Sequence, residues 1–224
     1  MVQKRALIFD FDGTVVDTFP NYIEALKEFS AVHNLSYDGA QFTVGYVDPD
    51  QFDLGWGIPL SQQREMYEIF NKFYNDENTD KQRFLPTPFA GAIDMLRTLA
   101  NDYDMAIVTT RHRNSLEAIL AHYCIADLFV GTRTHQCAEE GGYGLKPAPD
   151  AIHDLLKQTK HHVDDIIVIG DTTADVGMAN AVGAKSIAVL WGAHPQERLQ
   201  THNPTRMIDR MADLPDTVAD LFLA

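Results

Sequence analysis

At 224 residues the chain is long enough to bury a sizeable core, as one large domain or a domain carrying an insertion, and its formal net charge of −14 excludes the clustered Lys and Arg that hold a nucleic-acid backbone. The two cysteines, Cys124 and Cys137, stand in no metal-ligand spacing and make no disulfide framework, which points to a reducing cytoplasm. No apolar run approaches the roughly 20 residues that cross a bilayer, and Met1-Val2-Gln3-Lys4-Arg5 leads into a short strand without a signal-peptide pattern, so neither membrane nor nucleic acid is expected as a partner.

The first element is the apolar run Ala6-Leu7-Ile8-Phe9, a buried strand that stops in Asp10-Phe11-Asp12-Gly13-Thr14. A carboxylate at the end of a core strand is costly unless it is paired or bound to a cation, and no Lys or Arg lies within the run. Alternate side chains of an extended chain share a face, which sets Asp10 and Asp12 on one side, about 7 Å apart along the backbone. Two hard oxygen donors presented together suit Mg2+. Gly13 is free to turn, and Thr14 offers a hydroxyl and an amide to the carboxylates.

From about Val16 to Arg83 the sequence reads as mainly helical. Ile23, Leu26 and Phe29-Ser30 share one helical face, and Met66, Ile69, Phe70 and Phe73 repeat at helix spacing behind Ser61, a residue suited to an N-cap. Between them the stretch 44–59, rich in turn formers and holding Trp56, reads as a substrate-facing loop. Leu85-Pro86-Thr87-Pro88 is a stiff connector.

Beyond Pro88 strands and helices alternate, the pattern of a parallel sheet covered on both faces. The predicted strands are Met105–Val108, Leu128–Val130, Ile166–Ile169 and Ser186–Leu190. Helix faces carry Ile93, Leu96 and Leu99, then Leu116, Ile119 and Leu120, then Ile152, Leu155 and Leu156, and finally Met178 and Val182. The first strand has the same apolar character, so the helical block is an insertion into one α/β domain, with residues 1–15 and 88–224 as the core and 16–87 as the insertion.

Ligands of open parallel sheets bind beyond the carboxyl ends of the strands. There the sequence places Asp10 and Asp12, then Thr109-Thr110-Arg111, then Gly144-Leu145-Lys146-Pro147-Ala148-Pro149-Asp150, then Gly170-Asp171-Thr172-Thr173-Ala174-Asp175. Singly, Thr109 is a strand-end residue, Lys146 a surface charge and Asp175 a favourable anion in a first helical turn. His161-His162 reads as an exposed loop, and His112, between Arg111 and Arg113, is close enough to line the site mouth but is not assigned to the site.

Together, and in this order, these segments resemble the four motifs of the Mg2+-dependent phosphatases of the haloacid dehalogenase superfamily. Asp10 to Thr18 is similar to the first motif almost residue for residue, and Ile107-Val108-Thr109 to the short second one. Ala181-Val182-Gly183-Ala184 and Trp191-Gly192 are similar to the phosphoglycolate phosphatase-like branch. The resemblance implies a Rossmann-like α/β core with a small α-helical cap inserted after the first strand. It implies Asp10 as nucleophile and Asp12 as acid and base. Mg2+ would be held by Asp10, the Asp12 backbone carbonyl and Asp171, with Asp175 assisting. Thr109, Thr110 and Lys146 would bind phosphate oxygens, and Tyr22, Arg64 and residues 45–57 of the cap would meet the rest of a small phosphorylated metabolite. Asp12 disfavours dehalogenation, the lack of a lysine in 44–59 disfavours phosphonate cleavage, and Tyr22, where related mutases carry histidine, disfavours phosphate transfer to a second alcohol. Hydrolysis of a phosphomonoester through an aspartyl-phosphate leads, with a phosphomutase or phosphotransferase and a non-catalytic phosphate-binding module as alternatives. The chain leaves monomer and homodimer equally open.

Overall fold

The computed structural model describes residues 4–32 and 85–223. Two compact units divide the chain, Met1–Asp17 with Pro88–Ala224, and Thr18–Thr87. Of the second, the described part is essentially helix α1 (Phe19–Val32), which carries Tyr22. Arg64, Trp56, the 44–59 loop and the Met66 to Phe73 stripe lie outside the described residues.

The first unit is built on six strands: β1 (Arg5–Phe9), β4 (Tyr103–Val108), β5 (Phe129–Arg133), β6 (Ile166–Gly170), β7 (Lys185–Val189) and β8 (Arg206–Ile208). They run in the spatial order β5-β4-β1-β6-β7-β8 and every neighbouring pair is parallel. The register sets Phe9 beside both Ile107 and Ile169, so the central strands finish level with one another. A separate ribbon pairs β2 (Val16–Asp17) with β3 (Thr87–Pro88), which is why the first crossing of the chain falls after Asp17 and why the helical reading of Val16 and Asp17 gives way to strand.

Period-two alternation sorts each strand between two faces. Ala6, Ile8, Ala106, Val108, Ile166 and Val168 point to one side, where α5 (Asp150–Thr159) covers them with Ile152 and Leu155, and α6 (Thr173–Val182) with Met178 and Ala179. Leu7, Phe9, Met105, Ile107, Ile167 and Ile169 alternate with them and are equally buried. Helix α2 (Ala92–Leu99) buries Ala92, Met95, Leu96 and Leu99, one stripe at helical spacing, and α8 (Leu214–Leu223) lies against it. Helix α3 (Arg113–His122) buries Leu116, Ile119 and Leu120 as its spacing predicts.

Several boundaries move. Leu128 belongs to a 3-10 turn, Ala126–Leu128, and β5 instead runs on through Gly131, Thr132 and Arg133, none of them apolar enough to suggest a strand; its ladder to β4 holds it extended. Helices α4 (His135–Gly141) and α7 (Gln196–Gln200), β8 and α8 carry no element assignment from the sequence. His161 is buried, not exposed: its Nε2 lies 2.9 Å from the Lys4 carbonyl and 3.3 Å from Asp104 Oδ2, tying the turn before β6 to the amino ends of β1 and β4. Among the described residues no helix is long and apolar enough to cross a membrane.

Ile152 is fully buried at the centre of the α5 contact with the sheet. Ile152→Ala is expected to lower unfolding free energy by about 3 kcal/mol, read as a lower urea midpoint with an unchanged slope.

Candidate active site

Level parallel strands put their carboxyl-terminal residues along one edge, and the chemistry of the sequence collects there. Asp10 follows β1 and donates its backbone N–H to Ile169 O at 2.8 Å, which holds the chain against β6 one residue past the strand. Asp171 follows β6, and Asp175 lies one turn into α6. Carboxylate oxygens of Asp10, Asp171 and Asp175 all lie within 4.8 Å of one another, and all three residues are buried.

Lys146 makes this tolerable. Its Nζ stands 2.8 Å from Asp10 Oδ1 and 2.7 Å from Asp175 Oδ1, with 6 % of the side chain exposed. Burial pushes its ammonium down, but the two carboxylates outweigh that and the net shift is upward. The lysine called a surface charge when taken singly is therefore the buried counter-ion of the cluster.

The remaining hydrogen bonds fix each acid. Asp10 Oδ1 also accepts the Phe11 N–H at 2.7 Å. Asp171 Oδ1 accepts the Thr14 hydroxyl at 2.7 Å and its Oδ2 the Ala193 N–H at 2.7 Å. Thr172 donates its amide (3.0 Å) and its hydroxyl (2.6 Å) to Asp175 Oδ2, closing a capping box at the start of α6. His194 braces the same loop: its backbone N–H donates to Asp171 O at 3.3 Å, and its Nδ1 accepts the Thr173 N–H at 3.0 Å.

Two glycines make the close approach possible. A Cβ on Gly13 would fall 2.2 Å from Asp171 Oδ2, and Gly13 also has φ +80, a left-handed value that L side chains rarely adopt. A Cβ on Gly192 would fall 2.2 Å from Asp171 Cβ. Gly192, Ala193 and His194 thus join the site from the loop after β7. The Trp191-Gly192 resemblance marked the place, but nothing in the spacing signalled a contact with Asp171.

Asp12 belongs to a second group beside the first. Its carboxylate is ion-paired with Arg111, whose Nε lies 3.1 Å from Oδ1 and 3.0 Å from Oδ2, and Thr109 Oγ1 stands 3.4 Å from Oδ2. Asp12 therefore has a cationic partner after all, supplied by the neighbouring strand end. Its side chain stands outside the three-carboxylate cluster; the metal role expected of it concerns its backbone carbonyl. Thr110 is exposed. His112 precedes α3 and its Nδ1 contacts Gln136 Nε2, with its ring 5.5 Å from that of His135.

Burial, with the Asp175 charge next, pushes Asp10 well up, Lys146 opposing. The same two causes push Asp171 up to about 7, against the Ala193 and Thr14 hydrogen bonds. Asp10 rises because it is buried beside two other acids. Three hard oxygen donors, an excess of negative charge over the single ammonium and walls kept free of Cβ atoms fit a small divalent cation such as Mg2+.

The fold and this edge define an α/β protein with a carboxylate and lysine centre at the ends of parallel strands. Residues 7–189 match the haloacid dehalogenase-like hydrolase family, and the chain belongs to it. It is 26 % identical to a phosphoglycolate phosphatase of Photobacterium profundum, with 96 % of this chain and 95 % of that one covered. It is 27 % identical to the pyrophosphatase PpaX of Bacillus velezensis, covering 96 % and 97 %. Among solved structures, a haloacid dehalogenase-like hydrolase from Streptococcus pneumoniae superposes with a TM-score of 0.78 at 22 % identity, over 97 % of this chain and all of that one.

Two outcomes follow from the crowding. Gly13→Ala is expected to cost about 2 kcal/mol or more of stability, from the left-handed backbone and the collision with Asp171, measured by thermal or urea unfolding. Asp10 and Asp171 titrate higher folded than unfolded, so their protonated forms favour the native state. In metal-free protein that contribution is complete below the ordinary carboxylate range and is lost as pH rises through about 7; the urea midpoint should fall over that interval, and less steeply in Asp171→Asn.

Proposed function

We propose that the protein is a Mg2+-dependent phosphomonoesterase acting on a small phosphorylated metabolite through an aspartyl-phosphate at Asp10. The observation that carries this reading is the bridge of Lys146 between Asp10 and Asp175, with Asp171 alongside, at the edge of the sheet where ligands bind. The names of the relatives supply the substrate type.

Among the described residues, the Phe11 N–H and Lys146 both meet the Asp10 carboxylate at Oδ1, so we assign the attack to Oδ2. Its bond to phosphorus forms as the bond from phosphorus to the leaving oxygen breaks, and Asp12 gives that oxygen a proton. Water then attacks the phosphorus, Asp12 takes its proton, and the Asp10 carboxylate is released. Lys146 and Thr109 hold the phosphoryl oxygens, positioned in advance so that no reorganisation is needed during transfer. Asp10, Asp171 and the Asp12 carbonyl would hold Mg2+, with Asp175 beside them; bound there, the ion neutralises phosphate charge and lets an anionic nucleophile approach it. Thr14, Ala193 and Thr172 keep the carboxylates aimed.

We assign substrate choice to residues 18–87, with Tyr22 on α1 and Arg64 as the residues to vary. Phosphoglycolate is the first metabolite to assay, and inorganic pyrophosphate the second because of the PpaX relatives. Cys124 and Cys137 carry free thiols, in keeping with a cytoplasmic location.

Purified protein is expected to hydrolyse p-nitrophenyl phosphate with Mg2+, to lose that activity in EDTA and to recover it when Mg2+ is returned. Asp10→Asn should be inert at full Mg2+, with circular dichroism unchanged; turnover in that variant would remove Asp10 as nucleophile.

A further inference from the structure

Arg111 is an uncommon residue to find closed away: its side chain is 4 % exposed, against 21 % for the Asp12 side chain that it grips. Nε spans both oxygens of Asp12, Nη2 adds a second bond to Oδ1, and Nη1 donates to Ser115 Oγ at 2.7 Å in the first turn of α3. The guanidinium is thus held at its far end while its near end holds a carboxylate. Its backbone takes part too: the Arg111 N–H donates to Thr109 Oγ1 at 3.1 Å, which turns the Thr109 hydroxyl toward Asp12 Oδ2, 3.4 Å away.

A buried ion pair contributes little net stability, because desolvation of both charges offsets their attraction. What a planar, doubly bonded guanidinium does supply is orientation, fixing the plane of the carboxylate as a flexible ammonium cannot. We infer that Arg111 is a positioning residue for Asp12: anchored by Ser115, it aims the Asp12 carboxyl at the leaving oxygen and sets Thr109 beside it. Oδ1 accepts from Nε and Nη2, and Oδ2 from Nε and the Thr109 hydroxyl, so the plane of the carboxyl is fixed from both of its oxygens. This rests on the acid and base role proposed for Asp12, and nothing in the family resemblance assigned Arg111.

A residue that acts by aiming an acid matters most when the leaving group needs a proton. The test compares kcat/KM for p-nitrophenyl phosphate, whose weakly basic phenolate departs unaided, with phenyl phosphate, of similar shape and a more basic leaving oxygen, at saturating Mg2+. General acid catalysis contributes about 10²-fold or more, so Arg111→Ala should lose at least about tenfold more on phenyl phosphate than on p-nitrophenyl phosphate, with Arg111→Lys in between. In an Asp12→Asn background the same change should cost less than about twofold, since residues acting as a unit are not additive. Equal loss on both esters, or a full additional loss in the Asp12→Asn background, overturns the inference. A flat response in Asp12→Asn alone would instead remove Asp12 as the acid, and this role for Arg111 with it. Should Arg111→Ala fail to fold, Ser115→Ala frees only the far end of the guanidinium; it should show the same selective loss, smaller in size, and equal loss on both esters is again the contrary result.

Discussion

Three buried carboxylates held around one ammonium is the constraint on which this molecule depends. Lys146 reaches Asp10 and Asp175 at once, and without it the edge of the sheet would carry uncompensated charge out of reach of water. Even with it the account is unbalanced, which is why Asp10 and Asp171 are pushed toward their protonated forms. A bound divalent cation would relieve that imbalance.

The fold meets that constraint by bringing separate pieces of chain to one line. β1, β4, β6 and β7 are parallel neighbours, so residues far apart in sequence leave the sheet side by side. The apolar interior of those strands fixes their register, and the register fixes where Asp10, Thr109 and Asp171 emerge. Loop hydrogen bonds then set the last ångström: Thr14 and Ala193 on Asp171, Thr172 on Asp175, Phe11 on Asp10. Arg111 does the same for Asp12 from the adjoining strand, and the two groups of side chains stand next to each other with separate counter-ions.

Much of this was legible because strand ends and unpaired charge leave local marks. Two aspartates after an apolar run, a lysine before proline and an acid pair after Ile166–Ile169 each point to the same edge once the sheet is parallel. What stayed hidden depends on contacts between distant segments. Arg111 looks like any arginine after a strand until its neighbour proves to be Asp12, and Gly192 and Ala193 show their closeness to Asp171 only in three dimensions. His161 was misplaced for a related reason: a polar residue in a turn gives no sign that a carbonyl and a carboxylate await it in the interior. β5 was cut short because its last residues owe their extended form to the ladder with β4 and not to their own chemistry.

Asp175 has two employers. One oxygen receives Lys146, and the other closes the start of α6 through Thr172, so the helix and the carboxylate cluster share a single side chain. Removing its carboxylate would take away the cap of α6 and leave the Lys146 ammonium with one acid fewer, so any effect at this position mixes folding with charge balance.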